Sequence, residues 1–455
     1  MNHALFSEFS STDFAAWQAQ AIKDLKGKDF EATLHWRTPE GFTVAPYYTA
    51  EHHTNNLPLP ATAGWLNQPV VVYQNEQATN AQLMGALQKG ADALILDFAD
   101  ASIDDISLPK LLNNTKLSDA PVVFKTNGQA ALLLHHLQRF VPYQMKGGLA
   151  DDPLANWMQT GFLAVDWPQQ TADLLKNTAN SPFFRTLCVQ SHVFHNAGAH
   201  AVQELAFTLS SAATYLDQLT DLGLSLAEIT PKIHFSVSVG SNYFMEIAKL
   251  RALRYLWATL CDQWQPADNR PPTPVFIQAQ TSTFYNAAAS PYTNLLRATT
   301  QAMSATLGGC DALTVLNYNE IAAQSDDFAA RIARNISVLL KDESHFDKTI
   351  DPAAGSYFLE NLTQQLIEAA WKLFLEVEQK GGLLAAFEQG FVQQQIEEAF
   401  EQKRQKAQAG TSVLVGVNKY QTPDDVLVAA ATPPKATNSA VDFALLPNRR
   451  IADWA

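Results

Sequence analysis

Three histidines, His192, His195 and His200, fall within the run SHVFHNAGAH. The first pair has His-x-x-His spacing, which presents two imidazoles on one helical turn. Zinc would need further ligands, and no cysteine or carboxylate follows before Glu204. No metal site is therefore expected, and the histidines read as loop residues capping a barrel. A second polar run, QAQTST from Gln278 to Thr283, offers amides and hydroxyls at a strand end. Such groups could hold a polar substrate or cap the following backbone, and both readings stay open. Asp311 and Asn317 bracket one more strand, and Asp97 and Asp100 follow another. The last two read as solvated or capping carboxylates rather than an acid–base pair. His135-His136 lies inside the helical run LLLHHLQRF and so belongs to the surface of a barrel helix, turned away from any site.

Positioning these residues takes alternating strands and helices. Phe184 to Ala212 reads as a short apolar strand (Leu187 to Val189), a loop from Ser191 to Ala199, and a helix with Ala201, Leu205, Leu209 and Ala212 at helical spacing. The same alternation starts near Gln68, with strands expected at Val70–Tyr73, Ala93–Phe98 and Val122–Lys125. A Gly-rich stretch, Gly147–Ala150, and a strand at Phe162–Asp166 make the fourth unit. Strands Ile233–Val239, Val275–Gln280 and Ala312–Asn317 complete eight strand–helix units. Eight such units over roughly 270 residues predict an α/β fold, a (β/α)8 TIM-type barrel. The loops after its strands are where chemistry would sit. The expected organisation is an N-terminal helix and extended arm over 1–67, the barrel over 68–345, post-barrel helices with a VGVNKY segment over 346–425, and a linker over 426–455. The arm, TPEGFTVAPYYTAEH, cannot bury its aromatics alone and should lie across its own barrel or a partner. Two helices, Leu362–Glu378 and Leu383–Lys406, should follow the barrel, parted at Gly381-Gly382.

Composition narrows the function classes. A net charge of −14 repels a nucleic-acid backbone or an anionic membrane on average. No window approaches the ~18 apolar residues of a membrane span, and the start MNHALFSEFSSTDF lacks a basic, then apolar leader pattern. A cytoplasmic location is expected. Cys188, Cys261 and Cys310 are far apart in apolar runs and read as buried free thiols.

Several long motifs then occur together: TPEGFTVAPYYT, NAGAHAVQELAFTLSSAATYL, FSVSVGSNYFMEIAKLRALRYLWA, DFAARIARN, DPAAGSYFLENLT and VGVNKY. In this order, over about residues 30 to 420, the chain resembles the adenosylcobalamin-dependent methylmalonyl-CoA mutase family. The resemblance implies a barrel that threads the pantetheine tail of a CoA ester through its axis, with cobalamin carried by a separate C-terminal domain. It also implies lost functional positions. Where catalytic members have a Tyr-His pair before their AGA motif, this chain has His192 and Val193. Valine offers no donor to a thioester carbonyl. Where they read Arg-Thr-His-Ser-Gln-Thr-Ser, it reads Phe276 through Ser282, so a carboxylate-binding arginine falls at Phe276, whose ring cannot replace a bidentate guanidinium. Asp311 ends the stretch matching their Gly-His-Thr-Gln, and Tyr73 begins the one matching Arg-Gln-Tyr-Ala-Gly.

The resemblance thus points to the family's small, non-catalytic subunit, with no catalytic, cofactor or metal residue of its own. Gln190, Gln278, Gln280, Thr281 and Ser282 are expected as residual polar groups at the mouth. The expected partner is a homologous catalytic large subunit in a heterodimer, which would carry the adenosylcobalamin, with self-pairing when the chain is isolated. The 426–455 segment is read as leading toward an absent cobalamin domain, through a short natural chain or a truncation. Two alternatives remain: an acyl-CoA mutase of altered substrate specificity that uses a cobalamin domain on another chain, and a CoA-ester binding or scaffold module. Phe276 and Tyr73 are expected to point inward and narrow the mouth against a CoA tail.

Overall fold

The computed structural model describes residues 12–52, 62–264, 275–321, 326–421 and 441–455. Its strands are parallel and short: β1 in two pieces (Leu66–Asn67 and Val70–Val72), β2 (Leu94–Asp97), β3 (Val122–Lys125), β4 (Gly147–Leu149), β5 in two pieces (Phe184–Arg185 and Leu187–Gln190), β6 (Ile233–Val239), β7 (Ile277–Thr281) and β8 (Ala312–Thr314). One ladder runs from the second piece of β1 through β2, β3 and β4 to the first piece of β5. The other runs from the second piece of β5 through β6, β7 and β8 to the first piece of β1. Because the ladders share β1 and β5, the eight strands close on themselves as the expected TIM-type barrel. Pro69, which has no N–H to give a ladder, marks the joint in β1; its carbonyl still accepts from Ile95 N at 2.9 Å.

The fourth unit departs from expectation. Its strand is the Gly-rich stretch itself, and Phe162–Asp166 is a loop with Phe162 67% and Val165 100% exposed. The reason is space. A Cβ on Gly148 would lie 2.0 Å from the carbonyl oxygen of Arg185, and one on Gly147 2.0 Å from that of Val122, so only glycine lets β4 sit between its neighbours. The loop expected over Ser191–Ala199 is instead a short helix, His192–Ala197, ended by Gly198 at φ +115°. A Cβ there would meet Phe400 at 2.6 Å.

Capping defines the long helices. Asn75 accepts from Ala78 N ahead of Glu76–Gln88, and Asp326 from Ala329 N ahead of Asp327–Asp342. Before Ala201–Asp221, His200 and Gln203 bond reciprocally across the first turn.

Outside the barrel, Tyr357–Gln379 packs on the Ala201–Asp221 and Tyr243–Trp264 helices. Arg251 joins them: its guanidinium donates to Asp351 at 3.0 Å and to Glu360 at 2.8 Å, all three side chains buried. The second post-barrel helix is two helices, Gly382–Glu388 and Phe391–Gln408. The arm contains the helix Phe14–Asp24 and a hairpin pairing Trp36–Arg37 with Thr43–Val44. Tyr48 meets Phe358 edge-on and Asn361 donates to the His52 carbonyl, so the arm lies on the chain's own post-barrel helix. All three cysteines are buried. The composition-biased stretch from Ala430 to 440 lies outside the described residues.

Candidate functional site

Strand alternation turns His234, Ser236 and Ser238 of β6 inward, together with Gln278 and Gln280 of β7. All but Ser238 line a cavity of about 720 Å³ inside the barrel. It runs from Arg185 and Phe276, at the N-terminal ends of the strands, to Thr283, Glu320 and Asn448 beyond their C-terminal ends.

One belt of hydrogen bonds spans half of its wall. His192 Nε2 lies 2.8 Å from Ser236 Oγ and Nδ1 lies 2.8 Å from Ser238 Oγ. Ser236 donates in turn to Gln278 Oε1. Gln278 Nε2 donates to Thr314 Oγ1 at 2.8 Å, and Thr314 to the Gln68 carbonyl at 2.8 Å. Since Ser236 gives its proton to Gln278, the imidazole must donate from Nε2 and accept at Nδ1 from Ser238. Burial above all, then the nearby His195, pushes the His192 pKa down to about 3, which suits this neutral ring.

Beneath the mouth lies a buried charged cluster. Glu204 is 2.7 Å from His195 Nδ1 and 2.9 Å from Lys249 Nζ. His195 Nε2 reaches Ser282 Oγ at 2.7 Å, and Lys249 also bonds the Ser238 carbonyl at 2.8 Å. Burial raises the Glu204 carboxyl, but His195 and Lys249 outweigh it and bring it down to about 2. The cluster thus braces the short helix that carries His192 against β6.

The residues singled out from the sequence separate here. Val193 is 2% exposed in the main core. Phe276 does face the cavity, but at the N-terminal end, because it precedes β7; the Arg185 guanidinium lies 4.0 Å over its ring. Tyr73 packs against Phe98 at 6.1 Å in the second core, outside the bore. The expected narrowing of the mouth by these two rings is therefore absent. Asp311 precedes β8 and staples the N-terminal end, accepting from Arg254 at 2.8 Å and from Ile277 N at 2.8 Å. Gln190 donates to the Ala150 carbonyl at 2.6 Å and lines the cavity with Gln278 and Gln280. Thr281 accepts from Leu316 N and Ser282 from Phe284 N, so those two hydroxyls serve the backbone. His136 meets Asp104 at 2.9 Å on the surface. Among the described residues no cluster of metal ligands forms.

Sequence reasoning missed Arg185, His234, Glu320 and Asn448. The alternation in β6, IHFSVSV, was the available signal for His234. Asn448 arrives from the tail, which runs along the rim: Leu446 N donates to Met158 O, Arg449 N to Asn196 O and Ile451 N to Phe284 O, at 2.8–2.9 Å.

The methylmalonyl-CoA mutase family model matches residues 72–442. A methylmalonyl-CoA mutase small subunit from Porphyromonas gingivalis is 36% identical over 91% of this chain and 71% of its own length. The Streptomyces virginiae small subunit is 30% identical, over 95% of this chain and 74% of that one. A methylmalonyl-CoA mutase from Cereibacter sphaeroides is 31% identical over 90% of this chain, which spans only 64% of that relative. The match takes in all of the barrel beyond its first strand and every residue of the belt from His192 to Thr314, so this chain belongs to the methylmalonyl-CoA mutase family.

Proposed function

We propose that this chain is the small subunit of a heterodimeric adenosylcobalamin-dependent methylmalonyl-CoA mutase, which pairs with and stabilises a homologous catalytic large subunit without turning over substrate itself. The observation that carries this reading is the closed belt. Both nitrogens of His192 are engaged by serines, and both N–H groups of Gln278 are used, on Thr314 and on the Ala279 carbonyl. No donor of the belt is left for a thioester carbonyl, and the neighbouring position, aligned with a catalytic histidine, is a core valine. Losing one such donor typically costs about 10²–10³ in rate.

Cobalamin supplies the radical chemistry in this family. The residues at this mouth do not suit it: His192 and His195 have both ring nitrogens hydrogen-bonded within the protein, and the tail segment with Asn448 lies along the rim. The cofactor accordingly belongs to the partner subunit in this reading. A cytoplasmic location fits, since no described helix is long and apolar enough to cross a membrane.

The test compares the purified chain, given adenosylcobalamin and methylmalonyl-CoA, with the same chain co-expressed with a catalytic large subunit. Alone it should form no succinyl-CoA, and the large subunit should be recovered more soluble and more active when paired. Turnover by the chain alone would overturn the proposal. The continuous bore favours one second reading, a CoA-ester binding module. Calorimetry with acetyl-CoA separates the two.

A further inference from the structure

At the N-terminal end of the bore, polar groups lack partners. Arg185 stacks on Phe276 through its face, and its N–H edges make no hydrogen bond to a described residue. Asp311, the carboxylate that acts on it, is already held by Arg254 and by Ile277 N. His234 is 4% exposed and its Nδ1 has no partner. It sits beside Phe276, since Phe235 N on the same strand donates to the Phe276 carbonyl. Gln68 is 2% exposed, and its Oε1 is likewise unpartnered. All three side chains line the same cavity. Buried polar atoms without partners are few in folded proteins, and two of them, with a part-buried guanidinium lining the same cavity, mark a place for a ligand.

We infer that the N-terminal half of the bore binds a small carboxylate carrying its own hydroxyl or amide N–H, held by Arg185, His234 and Gln68. The planar guanidinium fork matches a carboxylate. The side-chain Oε1 of Gln68 calls for a donor, which a bare carboxylate or a fully ionised phosphate lacks. Burial, with Arg185 second, brings the His234 pKa down to about 3, so that ring is neutral, and Arg185, with Lys146 lining the same end of the cavity, supplies the positive charge that an anion needs. A neutral chain threaded here would leave the part-buried guanidinium without a counter-charge.

The experiment is calorimetry on the full chain with sodium lactate, acetate and phosphate, each at constant ionic strength against chloride. Lactate should bind, and more tightly than acetate. Arg185→Gln should weaken lactate about tenfold or more, the worth of one charge-assisted pair. His234→Phe and Gln68→Leu should erase the preference for lactate while leaving acetate binding in place. Arg185→Lys, which keeps the charge and loses the fork, should fall between wild type and Arg185→Gln; it also serves if Arg185→Gln fails to fold by circular dichroism. No heat with lactate, or equal binding by Arg185→Gln, would overturn the inference. Tighter binding of phosphate than of lactate would overturn the carboxylate assignment. None of these readouts depends on a partner subunit, so the result stands apart from the pairing experiment.

Discussion

Toward the C-terminal end of the bore the polar groups of the belt are paired with one another. His192, Ser236, Ser238, Gln278 and Thr314 pass donors to acceptors around the wall, and the Glu204 cluster locks them from beneath. At the N-terminal end the same strands begin with Arg185, stacked on Phe276, and with His234, whose Nδ1 has no partner among the described residues. In a (β/α)8 enzyme the C-terminal end is where reactive groups are left available. Here the arrangement is reversed. A satisfied network stabilises and fixes a structure, whereas an unsatisfied one costs stability until a ligand completes it.

That contrast can be broken most forcefully at Glu204. Glu204→Ala takes the carboxylate from His195 and one of two from Lys249, which keeps Glu246 at 2.6 Å; breaking a buried ion pair costs up to about 3–5 kcal/mol. Urea unfolding should show that loss; a change under 1 kcal/mol would mean that water reaches the cluster.

Acid should weaken both ends. Burial chiefly lowers the pKa values of His192, His200 and His234 to about 3, from the ordinary histidine value of about 6.5. The folded protein keeps them neutral while the unfolded chain takes up protons below 6.5, so stability is full above that pH and declines as pH falls toward 3. Each contributes up to about 1.4 kcal/mol per pH unit in that window. His234→Phe and His192→Phe should both flatten the acid limb in urea titrations. Only His192→Phe should also cost stability at pH 7.5, because it leaves Ser238 Oγ without its acceptor and Ser236 Oγ without its donor.

A smaller effect sharpens the comparison further. Ser236→Ala removes the link between His192 and Gln278 and should cost about 1 kcal/mol. Smallest of all, Arg185→Gln should change stability by less than about 0.5 kcal/mol, since no described group depends on its hydrogen bonds. A larger loss in thermal melts would show that Arg185 is part of the scaffold rather than an open end.

Much of this was legible in the residues. Alternating apolar strands and amphipathic helices specified the barrel, and long motifs such as SNYFMEIAKLRA and DPAAGSYFLENLT specified the family. The structure shows why those motifs recur in a chain with altered site positions: Lys249 and Arg251 of the first anchor the Glu204 cluster and the Asp351–Glu360 pair, which are fold contacts. The fourth strand was misplaced because β4 is chosen by clearance against its neighbours, and two glycines carry no hydrophobic signal. The tail's return to the rim rests on single backbone bonds to Met158, Asn196 and Phe284, which no local pattern announces.

The sequence by itself determined the strand–helix alternation, the closure that eight such units imply, the buried thiols and the family. Only the tertiary structure decided which end of the bore each inward residue occupies, and whether its polar atoms are spent or free. Local periodicity records which face of a strand a residue takes, but register sets its depth along the axis, and that depth depends on partners about 25 or more residues away. So Phe276 came to rest against Arg185 rather than at the mouth, and His192 was bound by two serines of the next strand.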